Sequence, residues 1–301
     1  MARSGVLFRV LAALSIATAT LAAYALWARP YQLRWGATDS EVAREIPGDD
    51  LQLQPHFLAT RAITIEASPE DIWPWLVQMG YDRAGYYGYD LLENLGSERG
   101  LRSATSILPG LQAVEVGDTI PISAVAHMVI HATEPNRHLI WAEDADPVTS
   151  AFTWALYPTG DGRTRLVSRI RWRYHWSDLS VLPLEVFTEF ADHVAIRAIL
   201  KGVRDRVAGR AKAMAVQNLE LGTYVFALLV FFVALAAVVL RSFTWSGWIL
   251  GMAAGGVWLF TWYADAPLWI GAALGLLTLW RIRSGAAFQA RDTRAVSEAG
   301  G

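Results

Sequence analysis

The sequence predicts an α+β fold in which an antiparallel sheet wraps a long C-terminal helix, with one N-terminal and two to three C-terminal transmembrane helices around it. Three observations carry this prediction. First, of the 301 residues, 10–27 hold no charge and 222–280 hold only Arg241 and Asp265, although the chain carries 26 basic and 28 acidic residues. Second, the region between these stretches alternates apolar and polar positions in short runs separated by turn residues. Third, that alternation gives way after Pro183 to a helical stripe. The apolar content of 53% exceeds the roughly 45 to 50% of a soluble domain because of the two uncharged stretches. High apolar content and the absence of Cys exclude a disordered chain and a disulfide scaffold.

Residues 1–28 read as an anchor. The run Val10 to Trp27 follows Arg3 and Arg9 and is just long enough to cross a hydrocarbon core of about 30 Å as a helix. A cleaved signal peptide is the rival, but its apolar region is shorter, about 7 to 15 residues, and ends in small residues; here the run ends in Tyr24, Leu26 and Trp27. Residues 29–57 form a polar connector with a short helix at Asp39 to Ala43. The globular domain is expected over 58–215. His56 to Ile65 alternates as a strand, and Ser68-Pro69 with Asp71 is a cap and first turn for a helix over Glu70 to Met79 that Gly80 ends. A second helical piece lies around Tyr89 to Leu95. From Asp118 to Trp176 an antiparallel meander is expected. In its last strand Leu166, Ser168, Ile170, Trp172 and Tyr174 face one way, and Arg165, Arg169, Arg171 and Arg173 the other. Phe152, Trp154 and Leu156 join the apolar face, and the arginine face is expected to be solvated, as antiparallel sheets commonly have one wet face; contact with anionic lipid heads is its alternative. The long helix carries Phe187, Phe190, Ala191, Val194 and Ala198 in one stripe that Ile196, Leu200, Val203 and Val207 continue. A stripe of this kind buries itself on the apolar face of the sheet. Strand, short helices, antiparallel sheet and long helix, in that order, make the helix-grip arrangement.

Residues 222–281 hold the C-terminal spans, expected at 222–240, 245–263 and 266–280, before a polar tail at 282–301. Trp245, Trp248, Trp262, Tyr263, Trp269 and Trp280 sit near their ends as interfacial aromatics. Gly247, Gly251 and Gly255 form a ridge on which another helix, of this chain or of a partner, could pack. Arg3, Arg9, Arg241, Arg281, Arg283, Arg291 and Arg294 all become cytoplasmic if the domain lies outside, whereas the basic segment Arg197 to Lys212 argues for the inside. Short loops weigh more, so the expectation is an integral protein of the bacterial plasma membrane with an extracytoplasmic domain.

Ala59 to Gly80 (ATRAITIEASPEDIWPWLVQMG) resembles the opening strand and helix of the SRPBCC superfamily, the START-like and polyketide-cyclase-like helix-grip proteins. The likeness extends over roughly 58–212. Trp73 to Gly80 together with Tyr86 to Asn94 (YYGYDLLEN) resembles a bacterial branch that has membrane helices after the domain. The resemblance implies an apolar cavity between sheet and long helix, and a hydrophobic ligand such as a lipid or isoprenoid; it names no reaction.

Candidate ligand-binding residues are Trp73, Trp75, Met79, Tyr86, Tyr87, Tyr89, Asp90, Glu93, Asn94, Trp154, Trp172, Phe187 and Phe190. Ile170 and Val194 join the aromatics as possible liners; each of these side chains could instead fill a solid core. In a helix Asp90 shares a face with Glu93 and Asn94, which places two carboxylates and an amide beside phenols. Such a group could orient a polar head or, with His193, perform acid–base chemistry on a hydrophobic substrate in a cyclase-like or hydrolase-like enzyme. Equally, Asp90 and Asn94 could cap backbone while Glu93 pairs with Arg83 or Arg102. No metal site is expected: His127 and His131, four apart on a strand, are separated by about 13 Å. No cofactor fingerprint or nucleophile elbow is present. Residues 28–221, with 19 basic and 25 acidic side chains, do not suggest nucleic-acid binding. The third reading is a structural or assembly module of a membrane complex.

Overall fold

The structure, a computed structural model, describes residues 22–173 and 182–240, with isolated positions at 15 and 18 and between 269 and 283; the side chains at 182, 183, 227, 228 and 230–240 are not described. The chain clusters into two compact units, Ala23–Gln217 and Met1–Ala22 with Asn218–Gly301.

The first unit is α+β. It is built on a six-stranded antiparallel sheet: β1 (Phe57–Ile65), β2 (Thr119–Pro121), β3 (His127–Glu134), β4 (His138–Ala142), β5 (Ser150–Pro158) and β6 (Thr164–Trp172), in the order β1-β6-β5-β4-β3-β2. The long C-terminal strands close back on β1, so that Arg61 lies opposite Ser168 and Ser168 opposite Trp154. Four short helices precede the meander: α1 (Arg29–Leu33), α2 (Asp39–Ala43), α3 (Pro69–Val77) and α4 (Asp90–Glu93). In α3, Ser68 accepts from the Asp71 amide and Pro69 occupies the first turn, a cap that stabilises by about 1 kcal/mol. The sequence places the end of α3 at Met79; the helix ends at Val77. The long helix is α5 (Leu182–Val207), and its Ile196, Ile199, Leu200 and Val203 share one core with Ile65, Trp154 and Leu166 of the sheet and Ile72 and Leu76 of α3.

The opposite face of the sheet is not wet. Residues 34–54, expected as a connector, are folded onto it. Glu41 of α2 receives Arg165 at 2.7 and 2.8 Å. Arg169, 4% exposed, donates to Thr60 Oγ1, to Asp49 at 2.6 Å and to the carbonyls of Glu41, Val42 and Arg44. Arg171 reaches the Gln52 carbonyl and Asp49, and Arg44 stacks over the Tyr157 ring at 4.2 Å. Of the four arginines expected in solvent, only Arg173 is exposed. The reason is local: a stretch ending in loop backbone needs donors for its carbonyls, and guanidinium groups supply several each. The same segment crosses the free edge of β1, where the Ala62 amide donates to the Trp35 carbonyl at 3.1 Å. A side chain at Gly36 would meet the Ala62 carbonyl at 2.1 Å, and its φ of +70° suits glycine.

Helix α6 (Met214–Leu240) carries the expected span 222–240 on one continuous helix. Among the residues described in full, no helix is long and apolar enough to cross a membrane. The span expected at 245–263, the ridge Gly247, Gly251 and Gly255, and most of 10–27 lie outside the described residues, and the span expected at 266–280 is described only at separate positions from 269 on.

Candidate functional site

A cavity of about 480 Å³ lies between the sheet and α5. Its floor is aromatic: Trp141 of β4 and Phe152 and Trp154 of β5 stand on one sheet face because their strands pair Trp141 with Phe152 and Leu139 with Trp154. Trp141 and Trp154 meet edge to face at 5.8 Å, and Tyr86 meets Trp141 at 6.5 Å, the geometry that ring quadrupoles favour. From α5, Asp192, Ala195, Ile196 and Ile199 face the same space at helical spacing. Tyr81, Tyr86, Leu92, Glu93 and Leu95 close one side and the turn Ile122 to Val125 the other. Leu92, Leu95 and Val125 are 58%, 67% and 93% exposed, so the mouth has an apolar rim.

Two carboxyl groups reach this otherwise greasy wall. Glu93 turns back over α4 to accept from the Gly88 amide at 2.9 Å and the Tyr89 amide at 3.0 Å. A side chain at Gly88 would strike the Glu93 carboxylate at 2.1 Å, so glycine there is a condition of the contact. Burial pushes the Glu93 carboxyl up to about 7, against the pull of the two amides. Neither Arg83 nor Arg102 pairs with it; Arg83 donates instead to the Val77 and Met79 carbonyls. Asp192 holds Arg61 of β1 at 2.6 Å. Its carboxyl is also raised by burial, with Arg61 opposing. The indole N–H groups of Trp141 and Trp154 have no hydrogen-bond partner among the described residues.

The residues singled out from the sequence divide. Tyr86, Glu93 and Trp154 line the cavity. Tyr87, Trp75 and Met79 are buried in the core behind it, with the Tyr87 hydroxyl donating to the Trp75 carbonyl at 3.0 Å. Tyr87 has φ of +73°, an unfavourable setting for a bulky residue, imposed by the Ser103 hydroxyl on its amide and by Arg206, which stacks on its ring at 4.4 Å and donates to its carbonyl. Gly202 of α5 lets that loop approach, since a Cβ there would lie 2.0 Å from the Tyr87 carbonyl. Tyr89 is buried and contributes its amide to Glu93. Asp90 accepts from the Ser103 amide and from Gln217, and Asn94 donates to the Asp90 and Leu101 carbonyls; both tie loops together. Trp73 packs on the main core, and Trp172 on Phe57, Ala59 and Ile170. Phe187 is 64% exposed and Phe190 half-buried. His193 is fully buried, its Nδ1 3.2 Å from the Gln32 carbonyl.

Asp90 and His193 therefore do not join Glu93 at the cavity. Sequence reasoning missed Trp141, Asp192 and the Arg61 pair. The signal for Trp141 was its alternation with Leu139 on a short strand. For Asp192 it was the spacing with Ala195, Ile196 and Ile199, one residue out of register with the His193 singled out. Among the described residues, no group of three or more His, Asp or Glu is placed to hold a metal ion.

No family model matches the chain, and no curated protein matches it. Similar solved structures include a protein of unknown function from Enterococcus faecalis, 13% identical over 53% of this chain and 79% of that one with a TM-score of 0.29. CalU16 from Micromonospora echinospora is 13% identical over 51% and 86% of the two chains, TM-score 0.27. A polyketide-cyclase-like protein from Corynebacterium glutamicum is 13% identical over 55% and 93%, TM-score 0.23. Likeness of this degree bears on neither ligand nor activity.

Proposed function

We propose that the protein holds a hydrophobic small molecule, lipid-like or isoprenoid-like, without covalent chemistry, in the manner of a helix-grip protein of the SRPBCC type anchored to a bilayer. The observation that carries this reading is the cavity. Its volume of about 480 Å³ falls within the roughly 300–1,000 Å³ of small-molecule sites, which are apolar with a few polar groups. The exposed apolar rim suits collection of a ligand from an apolar phase. A binding role is favoured over turnover because neither of the catalytic partners expected for Glu93, Asp90 and His193, lines the cavity with it.

Replacing Ala195 by Trp fills the cavity from α5. Full-length protein is expected to carry a hydrophobic molecule through purification, seen by mass spectrometry of an organic extract, and Ala195→Trp to lose it while keeping the far-ultraviolet circular dichroism of the parent. A parent protein that emerges empty from several hosts and detergents would overturn the reading.

The membrane part of the proposal rests on the uncharged runs at 10–27 and 222–240, the second on helix α6, and on the aromatic residues flanking the later runs. The short-loop arginines favour a domain outside the cytoplasm. A reporter fused after Gly301 is then expected to be active only on the cytoplasmic side, and added protease to reach the domain in intact spheroplasts; the opposite pattern would invert the topology.

A further inference from the structure

We infer that the cavity selects hydrophobic molecules whose polar end is a hydrogen-bond donor, an ammonium or a hydroxyl, and rejects free acids. This rests on the ligand-binding reading above and says which molecules it admits. The charged side chains among the described lining residues are Glu93 and Asp192, both carboxyls; no Lys, Arg or His is among them. The phenols of Tyr81 and Tyr86 already donate to the Leu95 and Pro121 carbonyls.

The indole N–H groups of Trp141 and Trp154 are enclosed within the wall, so, apart from the Ser123 hydroxyl on the turn, the side-chain groups left to a ligand are the two carboxylates, which accept when ionised. Glu93 spends one lone pair of each oxygen on a backbone amide and keeps the others, since a carboxylate has about four acceptor positions and, when ionised, no donor. Asp192 presents Oδ2 to Arg61, and that pairing neutralises one of the two charges, whereas Glu93 has only the through-space pull of Arg206 and no direct ion pair among the described residues. The three aromatic walls, Trp141, Phe152 and Trp154, receive the apolar body and add attraction for a cation over a ring face. An ammonium reaching Glu93 makes a charge-assisted bond and relieves the burial that pushes this carboxyl up. A carboxylate ligand there would set like charges together at a partly buried site where solvent screens them less than at the open surface.

The test compares three ligands of one chain length, decylamine, decanol and decanoate, by titration calorimetry at pH 8 against the full chain in phosphatidylcholine nanodiscs, with empty nanodiscs subtracted. Decylamine is expected to bind at least about tenfold more tightly than decanoate, with decanol between them. Glu93→Gln is expected to cut the advantage of the amine over the acid to within about threefold and to leave decanol unchanged; Asp192→Asn, paired with Arg61, is a second variant should Glu93→Gln fold poorly, and it is expected to move the ratio less. Decanoate binding as tightly as decylamine, with Ala195→Trp abolishing both, would overturn the selectivity and leave the cavity reading intact. No binding of any of the three above the Ala195→Trp background would overturn both.

Discussion

Replacing Arg169 by Ala is expected to destabilise the domain by about 3–5 kcal/mol, the range for removing one partner of a buried ion pair. The size follows from what the guanidinium holds. It gives five hydrogen bonds, to Thr60, to Asp49 and to the carbonyls of Glu41, Val42 and Arg44; without it the Asp49 carboxylate keeps the Ile46 amide at 3.1 Å and, as its one ion-pair contact, Arg171 at 3.3 Å, and three carbonyls lose a donor. Lysine restores the charge but not the fork, so Arg169→Lys should recover only a part. Arg173→Ala, four residues on and exposed, should stay within about 0.5 kcal/mol. Urea denaturation of the full chain in detergent, followed by tryptophan fluorescence, measures all three, and limited proteolysis should cut first within residues 44–54 of Arg169→Ala. Equal, small effects at 169 and 173 would mean that the segment does not cover the sheet.

Acid is expected to weaken the domain through His193. Burial, reinforced by Arg61, Arg197 and Lys201, pulls the imidazole down to about 2 from its ordinary 6.5. The unfolded chain therefore takes up a proton below about pH 6.5 that the folded one refuses, and stability falls as pH falls. Between pH 6.5 and 4 the loss amounts to about 3 kcal/mol at 1.36 kcal/mol per pH unit. Glu93 works in the opposite sense. Its folded value of about 7 lies above the ordinary 4.5, so its contribution is present in acid and is lost as pH rises through 7. Comparing the parent with His193→Asn, whose amide can still donate to the Gln32 carbonyl, cancels Glu93 and leaves the imidazole. The stability gap between the two proteins should shrink by about 3 kcal/mol from pH 7 to pH 4; parallel pH profiles would show that the imidazole is not held neutral.

The parts of this fold legible in sequence were those set by near neighbours. Ser68 and Pro69 announce a helix because the cap and the fixed φ act within three residues, and the alternation of Leu166, Ser168 and Ile170 reports a face that a strand of any length would share. The arginines of the same strand were misread because alternation tells which way a side chain points and nothing of what lies there. The partners of Arg169, at residues 41 to 49, stand some 120 positions earlier in the chain. The cavity was legible as a class of space and only in part as a set of residues. Tyr86, Glu93 and Trp154 reach it, while Asp90 and Asn94, equally polar and nearby, are consumed by loop backbone at Ser103 and Leu101. Asp192 and His193 differ by one step of about 100° around a helix, a rotation that decides between a cavity wall and the Gln32 carbonyl, and a drifting stripe does not fix it.

The segment that crosses β1 has a bearing on how copies of this protein behave toward one another. An uncovered outer strand is a template on which a second chain can add its own backbone, the route to swapped dimers and fibrils. Here the middle of the β1 edge is taken by Trp35 and Gly36. At the other edge β2 is three residues long and ends in Pro121, whose carbonyl already receives the Tyr81 amide and the Tyr86 hydroxyl. A concentrated solution of the folded domain should therefore resist ladder growth, and loosening residues 34–54, as Arg169→Ala would, exposes the aggregation-prone side of the molecule first.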